Sequence, residues 1–161
     1  MTLELDHNRF MAIAIEEAKA GAAQGEQPFG AVVVDGNGEL VVRSRSLKVS
    51  ACDATAHSET LAVKYATQKL GRRMLPDCTF YATCEPCPMC LGAILNGGFN
   101  TLVLGARNRD IKQLAKIAFN FKDYTVERFA EMTGWNLKLI GGVRTAECIE
   151  LYATSQVELT R

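Results

Sequence analysis

The chain has 161 residues, of which 18 are basic and 18 acidic, so its formal net charge is +0. This length is typical of one domain with a hydrophobic core, and the balanced charge lacks the basic excess typical of nucleic-acid-binding proteins. The sequence has no run of about 18 consecutive apolar residues, and its first ten residues do not have the pattern of a signal peptide. We therefore expect a single domain over residues 1–161, located in the cytoplasm.

Hydrophobic periodicity and turn residues predict alternating helices and strands. Asp6 is a candidate cap for the first helix, and the turn at residues 35–38 joins two strands into a hairpin. In chain order the predicted elements are a helix over 6–22, strands over 31–34 and 39–42, a loop over 43–54, a helix over 55–70, a strand over 78–83, a short helix from Pro86 to 97, a strand over 101–106, helices over 110–118 and 125–132, a strand over 137–140 and a final helix capped by Thr145. This order predicts an α/β fold, with one sheet covered by helices on both faces.

The segment Pro86-Cys87-Pro88-Met89-Cys90 carries the strongest local signal for chemistry. Cysteines three residues apart lie on one face of a helical turn, so both sulfurs can reach one metal ion. The prolines suit the first turn of a helix, whose partial positive charge favours thiolate over thiol. A pair of buried free cysteines is the plainer interpretation, and we expect metal or redox chemistry about as often from this motif alone.

The segment His57-Ser58-Glu59 lies at the start of the helix predicted over 55–70 and supplies the second signal. The chain has two histidines, and the other lies near the N-terminus, so His57 is the better candidate for a metal ligand. His57, Cys87 and Cys90 would form a Cys₂His zinc site with an open position for water, and Glu59 would then be available to move protons. The joint pattern H-x-E…P-C-x-x-C is that of zinc nucleobase deaminases.

Three blocks of this sequence resemble the cytidine-deaminase-like superfamily, in the branch of guanine, cytosine and tRNA-adenosine deaminases. They are Pro28 to Val32, Asp53 to Glu59 and Thr83 to Ile94, and the similarity extends from about Pro28 to Ala106. The last block most resembles bacterial guanine deaminases. The resemblance implies a three-layer αβα sandwich with a mixed sheet of about five strands, one Zn²⁺ per chain on Cys₂His, a glutamate proton shuttle and a homodimer.

The chain departs from the superfamily pattern at two places. Ser58 stands where Ala is usual, and a small hydroxyl should be tolerated there. Relatives often have an Asn just after the second strand, and this Asn hydrogen-bonds the base. Residues 43–47 of this chain contain no Asn, and Ser46 lies in that stretch. The substrate contact, and with it the substrate, is therefore open.

Further substrate contacts are expected around these blocks. Phe29 could stack on a base or pack in the core. Ala56, which precedes His57, is also expected to contact the substrate. The resemblance to guanine deaminases implies an acidic residue and a tyrosine from the C-terminal region, for which Asp123 and Tyr124 are the candidates. Packing is the plainer role for the neighbouring aromatic residues Phe119 and Phe121.

Several alternatives remain open from the residues alone. Cys84 could close the site as a fourth thiolate, as in a structural zinc-binding module, or belong to an iron–sulfur cluster, although a small buried cysteine is preferred. A redox protein is a third class. Among deaminase substrates, a free guanine-like purine is the first choice, with cytosine, aminopyrimidines, pterins and tRNA adenosine as alternatives. A neutral chain could still carry a local basic patch for tRNA, formed by Arg43, Arg45, Lys48, Arg72 and Arg73.

Overall fold

A computed structural model describes residues 3–112 and 121–155. Within these residues, helices and strands alternate in the predicted order. The helices are α1 (His7–Ala23), α2 (Ser58–Leu70), α3 (Pro88–Asn96), α4 (Asn108–Ile111), α5 (Val126–Thr133) and α6 (Thr145–Ala153), and the strands are β1 (Gly30–Val34), β2 (Leu40–Arg45), β3 (Thr79–Cys84), β4 (Thr101–Ala106) and β5 (Lys138–Ile140).

The five strands form one mixed sheet in the order β2-β1-β3-β4-β5. Strand β1 runs antiparallel to both β2 and β3, whereas β3, β4 and β5 are parallel to one another. The carboxyl ends of β3 and β4 therefore lie at the same edge of the sheet. The segments that follow them, including the Pro86–Cys90 motif, begin there.

Helices cover both faces of the sheet, which gives the predicted three-layer arrangement. Alternate residues of β1 point to opposite faces, so that Val32 packs against α1 and α6 while Val33 packs against α2 and α3. A side chain at Gly30 would collide with the carbonyl of Ala14, so glycine allows α1 to lie directly on β1. No helix among the residues 3–112 and 121–155 is both long and apolar enough to span a membrane.

Strand β2 is longer than its sequence predicts, because Arg43 and Arg45 extend it instead of opening the loop. The guanidinium groups of both residues bind the buried carboxylate of Glu17 on α1, the Arg45 Nε lying 2.8 Å from Glu17 Oε2. These ion pairs cross from the edge strand to the helix above it. The prediction of a loop from residue 43 was therefore wrong for residues 43–45.

Several other boundaries differ from the sequence predictions, and α2, for example, begins at Ser58 and not near residue 55. Thr145 does not cap α6, since Arg144 is the N-cap residue and the Thr145 hydroxyl donates to the Gly105 carbonyl at 2.8 Å. Helix α3 begins at Pro88 and not at Pro86. The helix predicted over 110–118 corresponds to α4 as far as Ile111, and its remainder, like Phe119, falls mostly outside the described residues.

Candidate active site

Helix α2 begins immediately after His57, which is its N-cap residue in an extended conformation (φ −75°, ψ 153°). The Thr60 hydroxyl lies 3.0 Å from the His57 carbonyl and also contacts the Thr55 carbonyl, so the first turn of α2 is tied to the preceding loop. His57 is only 8% exposed. Its imidazole is thereby held against the neighbouring helix α3.

Helix α3 brings both cysteines of the Pro86–Cys90 motif to its N-terminal end. Cys87 is the N-cap residue, Pro88 occupies the first helical position, and Cys90 lies in the first turn. Proline suits the first position because its missing N–H would have had no partner within the helix. The first turn of a helix carries partial positive charge, which stabilises thiolates at both cysteines.

The imidazole and the two sulfurs meet in one buried cluster. His57 Nδ1 lies 3.7 Å from Cys87 Sγ and 3.3 Å from Cys90 Sγ, and the three ligand atoms all lie within 4.8 Å of one another. Neighbouring ligands of a tetrahedral zinc ion, at bond lengths of about 2.0–2.3 Å, are separated by about 3.5 Å. The donor set and its spacing therefore fit a metal ion of this kind.

The other cysteines of the described residues stand outside this cluster. Cys84 ends β3, and its sulfur lies 3.7 Å from the Asn108 amide oxygen. Burial raises the pKa of the Cys78 thiol to about 11 and that of Cys148 to about 12. Such thiols stay protonated near neutral pH, unlike metal ligands. Among the residues that the structure describes, the metal-ligand group contains three residues and does not include Cys84.

Glu59 lies in the same helical turn as His57 and is 1% exposed. The hydroxyl of Ser58, itself fully buried, donates a hydrogen bond to Glu59 Oε2 at 2.9 Å. Glu59 is not part of the three-residue metal-ligand group, but like those three residues it is buried. The carboxylate is thus shielded from bulk solvent, and its role as a proton shuttle stays a prediction.

Backbone hydrogen bonds bring three of the predicted substrate contacts close together. The backbone N–H of Ser46 donates to the Phe29 carbonyl at 3.3 Å, and that of Leu47 donates to the Ala56 carbonyl at 3.0 Å. All three predicted contact residues are buried, and the Phe29 ring packs against Tyr152 in the core with 5.2 Å between ring centroids. Their contact with a base stays a prediction.

Asp123 and Tyr124, the two predicted contacts from the C-terminal half, have different surroundings. The Tyr124 hydroxyl donates to the Pro86 carbonyl at 2.5 Å, directly beside Cys87, while its ring contacts Phe121. The Asp123 side chain is 83% exposed and lies 3.6 Å from the Arg128 guanidinium. Tyr124 therefore touches the Pro86–Cys90 segment, whereas Asp123 faces solvent.

The sequence reasoning missed one buried carboxylate, that of Glu85, next to the Pro86–Cys90 segment. It is 3% exposed and accepts hydrogen bonds from the backbone N–H of Asn108 at 3.1 Å, the backbone N–H of Val126 at 3.0 Å and the Arg107 guanidinium at 3.2 Å. These contacts join the segment before Cys87 to the N-terminal ends of α4 and α5. The available signal was the position of a charged residue directly before a proline-cysteine motif.

We expect Glu85→Gln to lower the free energy of unfolding by about 3 kcal/mol, because the amide NH₂ would face buried donors. Urea denaturation at neutral pH measures this loss. Glu127→Gln is the matched control, since Glu127 binds the same Arg107 but its side chain is 56% exposed, and it should cost less than about 1 kcal/mol. Equal losses in the two variants would contradict a structural role specific to Glu85.

Comparison with known proteins finds deaminases. A family model described as MafB19-like deaminase matches residues 5–142. The tRNA-specific adenosine deaminase of Haemophilus influenzae is 32% identical over 91% of this chain and 80% of its own length. The guanine deaminase of Bacillus subtilis is 41% identical over 56% of this chain and 58% of its own length.

Some relatives are much longer than this chain. The tRNA(Ile)-lysidine synthase of Deinococcus radiodurans is 37% identical over 88% of this chain, but the match spans only 23% of that protein. The similarity there concerns one part of a larger protein.

Solved structures share the fold. A structure from a study of A-to-I editing by tRNA deaminases at the wobble position is 30% identical, with a TM-score of 0.74 over 89% of this chain and 98% of that chain. The guanine deaminase from Nitrosomonas europaea is 23% identical, with a TM-score of 0.81 over 93% and 84% of the two chains, and that likeness concerns the fold alone. The expected cytidine-deaminase-like fold is confirmed.

Proposed function

The chain belongs to the MafB19-like deaminase family, and we propose that it is a zinc-dependent hydrolase that removes an exocyclic amino group from a heterocyclic base and releases ammonia. The cluster of His57, Cys87 and Cys90, with Glu59 buried in the same turn as His57, carries this proposal. Three ligands are the number found in catalytic zinc sites, whereas structural sites have four. A binding module closed by Cys84 and a redox protein are therefore less favoured.

Each residue of the cluster has a defined part in the proposed reaction. His57, Cys87 and Cys90 would hold the metal, which when bound supplies the Lewis acidity that makes a water reactive near neutral pH. Glu59 takes a proton from the attacking water and delivers it to a ring nitrogen of the base. It then takes the second proton of that water oxygen and passes it to the departing amine as the carbonyl forms. The N-terminus of α3 would stabilise the negative charge of the two thiolates throughout.

A free base, with guanine-like purines first, is the substrate that we propose. The block from Thr83 to Ile94 resembles guanine deaminases, and the neutral chain has no basic excess. The distribution of charge adds to this argument, because Arg43 and Arg45 bind Glu17, and Arg72 lies 2.9 Å from Asp77. Arginines paired in this way contribute less to phosphate binding than unpaired ones would.

The second candidate is deamination of adenosine in tRNA. The relative from Haemophilus influenzae, which the chain covers over 80% of its length, is the observation that favours it. Cytosine, other aminopyrimidines and pterins remain within the same reaction class, since Ser46 stands where relatives often have an Asn.

An ammonia-release screen across aminopurines, aminopyrimidines and pterins, run beside an anticodon stem-loop, tests the substrate. We expect a guanine-like purine to be converted fastest, with a rate that changes little between low and high salt. Conversion of the stem-loop to inosine far faster than any free base, with steep inhibition by salt, would contradict this proposal and establish the second candidate.

The base contacts and the assembly are further parts of the proposal. Phe29, Ser46 and Ala56 would line the base on the side of His57, with Asp123 and Tyr124 as contacts from the C-terminal half. The family resemblance also favours a homodimer. Because Asp123 faces solvent within one chain, its proposed contact with a base depends on movement of its segment or on such a partner.

A further inference from the structure

The loop over residues 46–57 joins β2 to α2 and ends at the first proposed metal ligand. Its two ends are held together, since the Leu47 N–H donates to the Ala56 carbonyl at 3.0 Å. Inside the loop, the Ala51 N–H donates to the Leu47 carbonyl at 2.9 Å and the Asp53 N–H to the Lys48 carbonyl at 3.2 Å. The loop is therefore compact, and Ser46 and Ala56 lie at its two ends.

One buried carboxylate from a distant part of the chain binds the tip of this loop. Glu26 lies between α1 and β1 and is 2% exposed. Its two oxygens accept hydrogen bonds from consecutive backbone amides of the loop, Val49 N–H at 2.9 Å and Ser50 N–H at 2.7 Å. The Val49 side chain itself is 54% exposed, so hydrophobic packing holds this tip only weakly.

The electrostatics of Glu26 agree with an ionised clamp. Burial opposes its ionisation, but hydrogen bonds from the Ser50 side chain and from the amides of Val49 and Ser50 outweigh this effect, and the pKa of the carboxyl lies below its ordinary value. A carboxylate that accepts backbone N–H groups in pairs is a strong and directional partner. Neutralising the Glu26 carboxylate would weaken the hydrogen bonds that the backbone amides of Val49 and Ser50 donate to it.

We infer that Glu26 is a positioning residue that holds the loop over residues 46–57 in the shape that binds the base. This inference rests on the proposed function, because it takes Ser46 and Ala56 to line the base. Glu26 lies outside the metal-ligand group, and its hydrogen-bond donors are Val49 and Ser50. It acts through the backbone of Val49 and Ser50.

Glu26 binds the loop at Val49 and Ser50, which precede His57 by eight and seven residues, and this position determines which kinetic constant should change. Glu59 lies on α2 and both cysteines lie at the start of α3, and neither helix depends on Glu26 for its hydrogen bonds. A loosened loop must be ordered again each time a base binds, and this cost weakens binding of substrate and transition state alike. KM should therefore rise while kcat stays nearly constant.

Glu26→Gln tests the inference, because it keeps the size of the side chain but replaces one acceptor oxygen by a donor NH₂. We expect hydrogen exchange of the amides of residues 47–53 to become at least about tenfold faster, and KM for the best base in the screen to rise about tenfold. The zinc content should be unchanged, and kcat should stay within about twofold of the wild-type value. Glu16→Gln is the control, since Glu16 lies on α1, its side chain is 65% exposed and it binds Arg43 on the surface.

Two comparisons keep the outcomes distinct. Glu26→Asp retains the charge but shortens the side chain, so it should fold and show an intermediate effect on both exchange and KM. Unchanged exchange of residues 47–53 in folded Glu26→Gln or Glu26→Asp would overturn the inference, as would a fall in kcat without a rise in KM. If the wild-type protein deaminates no base, the proposed function fails, and the exchange measurement alone decides whether Glu26 holds the loop.

Discussion

Cys87→Ala and Cys90→Ala should each release the metal ion and abolish deamination. Each substitution removes one thiolate from the proposed three-ligand set of His57, Cys87 and Cys90. Two ligands bind zinc much more weakly than three, so the metal should be lost, and the activity with it. Metal analysis of the purified proteins should show about one zinc per wild-type chain and close to none in either variant. A strong chelator should inactivate the wild-type protein, and added zinc should restore it.

Cys84→Ala is the matched control for these variants. Cys84 is 1% exposed and lies three residues before Cys87, yet it stands outside the metal-ligand group. This variant should keep its zinc and its turnover. Full zinc retention in both Cys87→Ala and Cys90→Ala would contradict the assignment, and loss of zinc in Cys84→Ala would favour a closed structural site.

Glu59→Gln should leave the metal bound and the fold intact while lowering turnover by about 10²–10⁴ or more. Glutamine has the shape of glutamate and can still accept the hydrogen bond that the Ser58 hydroxyl donates to Glu59. It cannot take a proton from water or return one to the departing amine. Steady-state kinetics on the best base, together with zinc content and thermal unfolding, separates loss of chemistry from loss of structure.

Glu39→Gln serves as the control because Glu39 is an exposed acid in the hairpin turn, remote in sequence from the site. It should behave like the wild-type protein in all three measurements. Near-normal turnover of a zinc-loaded Glu59→Gln protein would exclude Glu59 as the proton shuttle. The metal assignment would survive that result, since it depends on His57, Cys87 and Cys90 alone.

The order of helices and strands was predictable because each element depends mainly on nearby residues. The β-branched run before the turn at residues 35–38 forms β1, and Gly71 ends α2 in the left-handed conformation (φ 63°) that glycine adopts easily. Boundaries were wrong where a distant group changed the local preference. Arg43 and Arg45 continue β2 because Glu17 on α1 binds them, and Thr145 bonds to the Gly105 carbonyl instead of capping α6.

The candidate metal site was predictable in part for the same reason. Cys87 and Cys90 are three residues apart at a helix start, so local geometry places their sulfurs together. The choice of His57 as their partner came from the scarcity of histidine and from the joint motif, and the structure brings its Nδ1 to 3.3 Å from Cys90 Sγ. That contact spans 33 residues and depends on α2 and α3 packing side by side on one face of the sheet.

The sequence by itself determined the alternation of elements, the presence of a helix at each motif and the identity of the candidate metal ligands. Tertiary structure alone decided the strand order, in which β1 lies between β2 and β3, and the partners of Glu26 and Glu85. These carboxylates bind backbone amides up to 41 residues away, and every residue except proline has such an amide. The residue type alone therefore does not indicate which distant amide a carboxylate will bind, because that depends on how the whole chain packs.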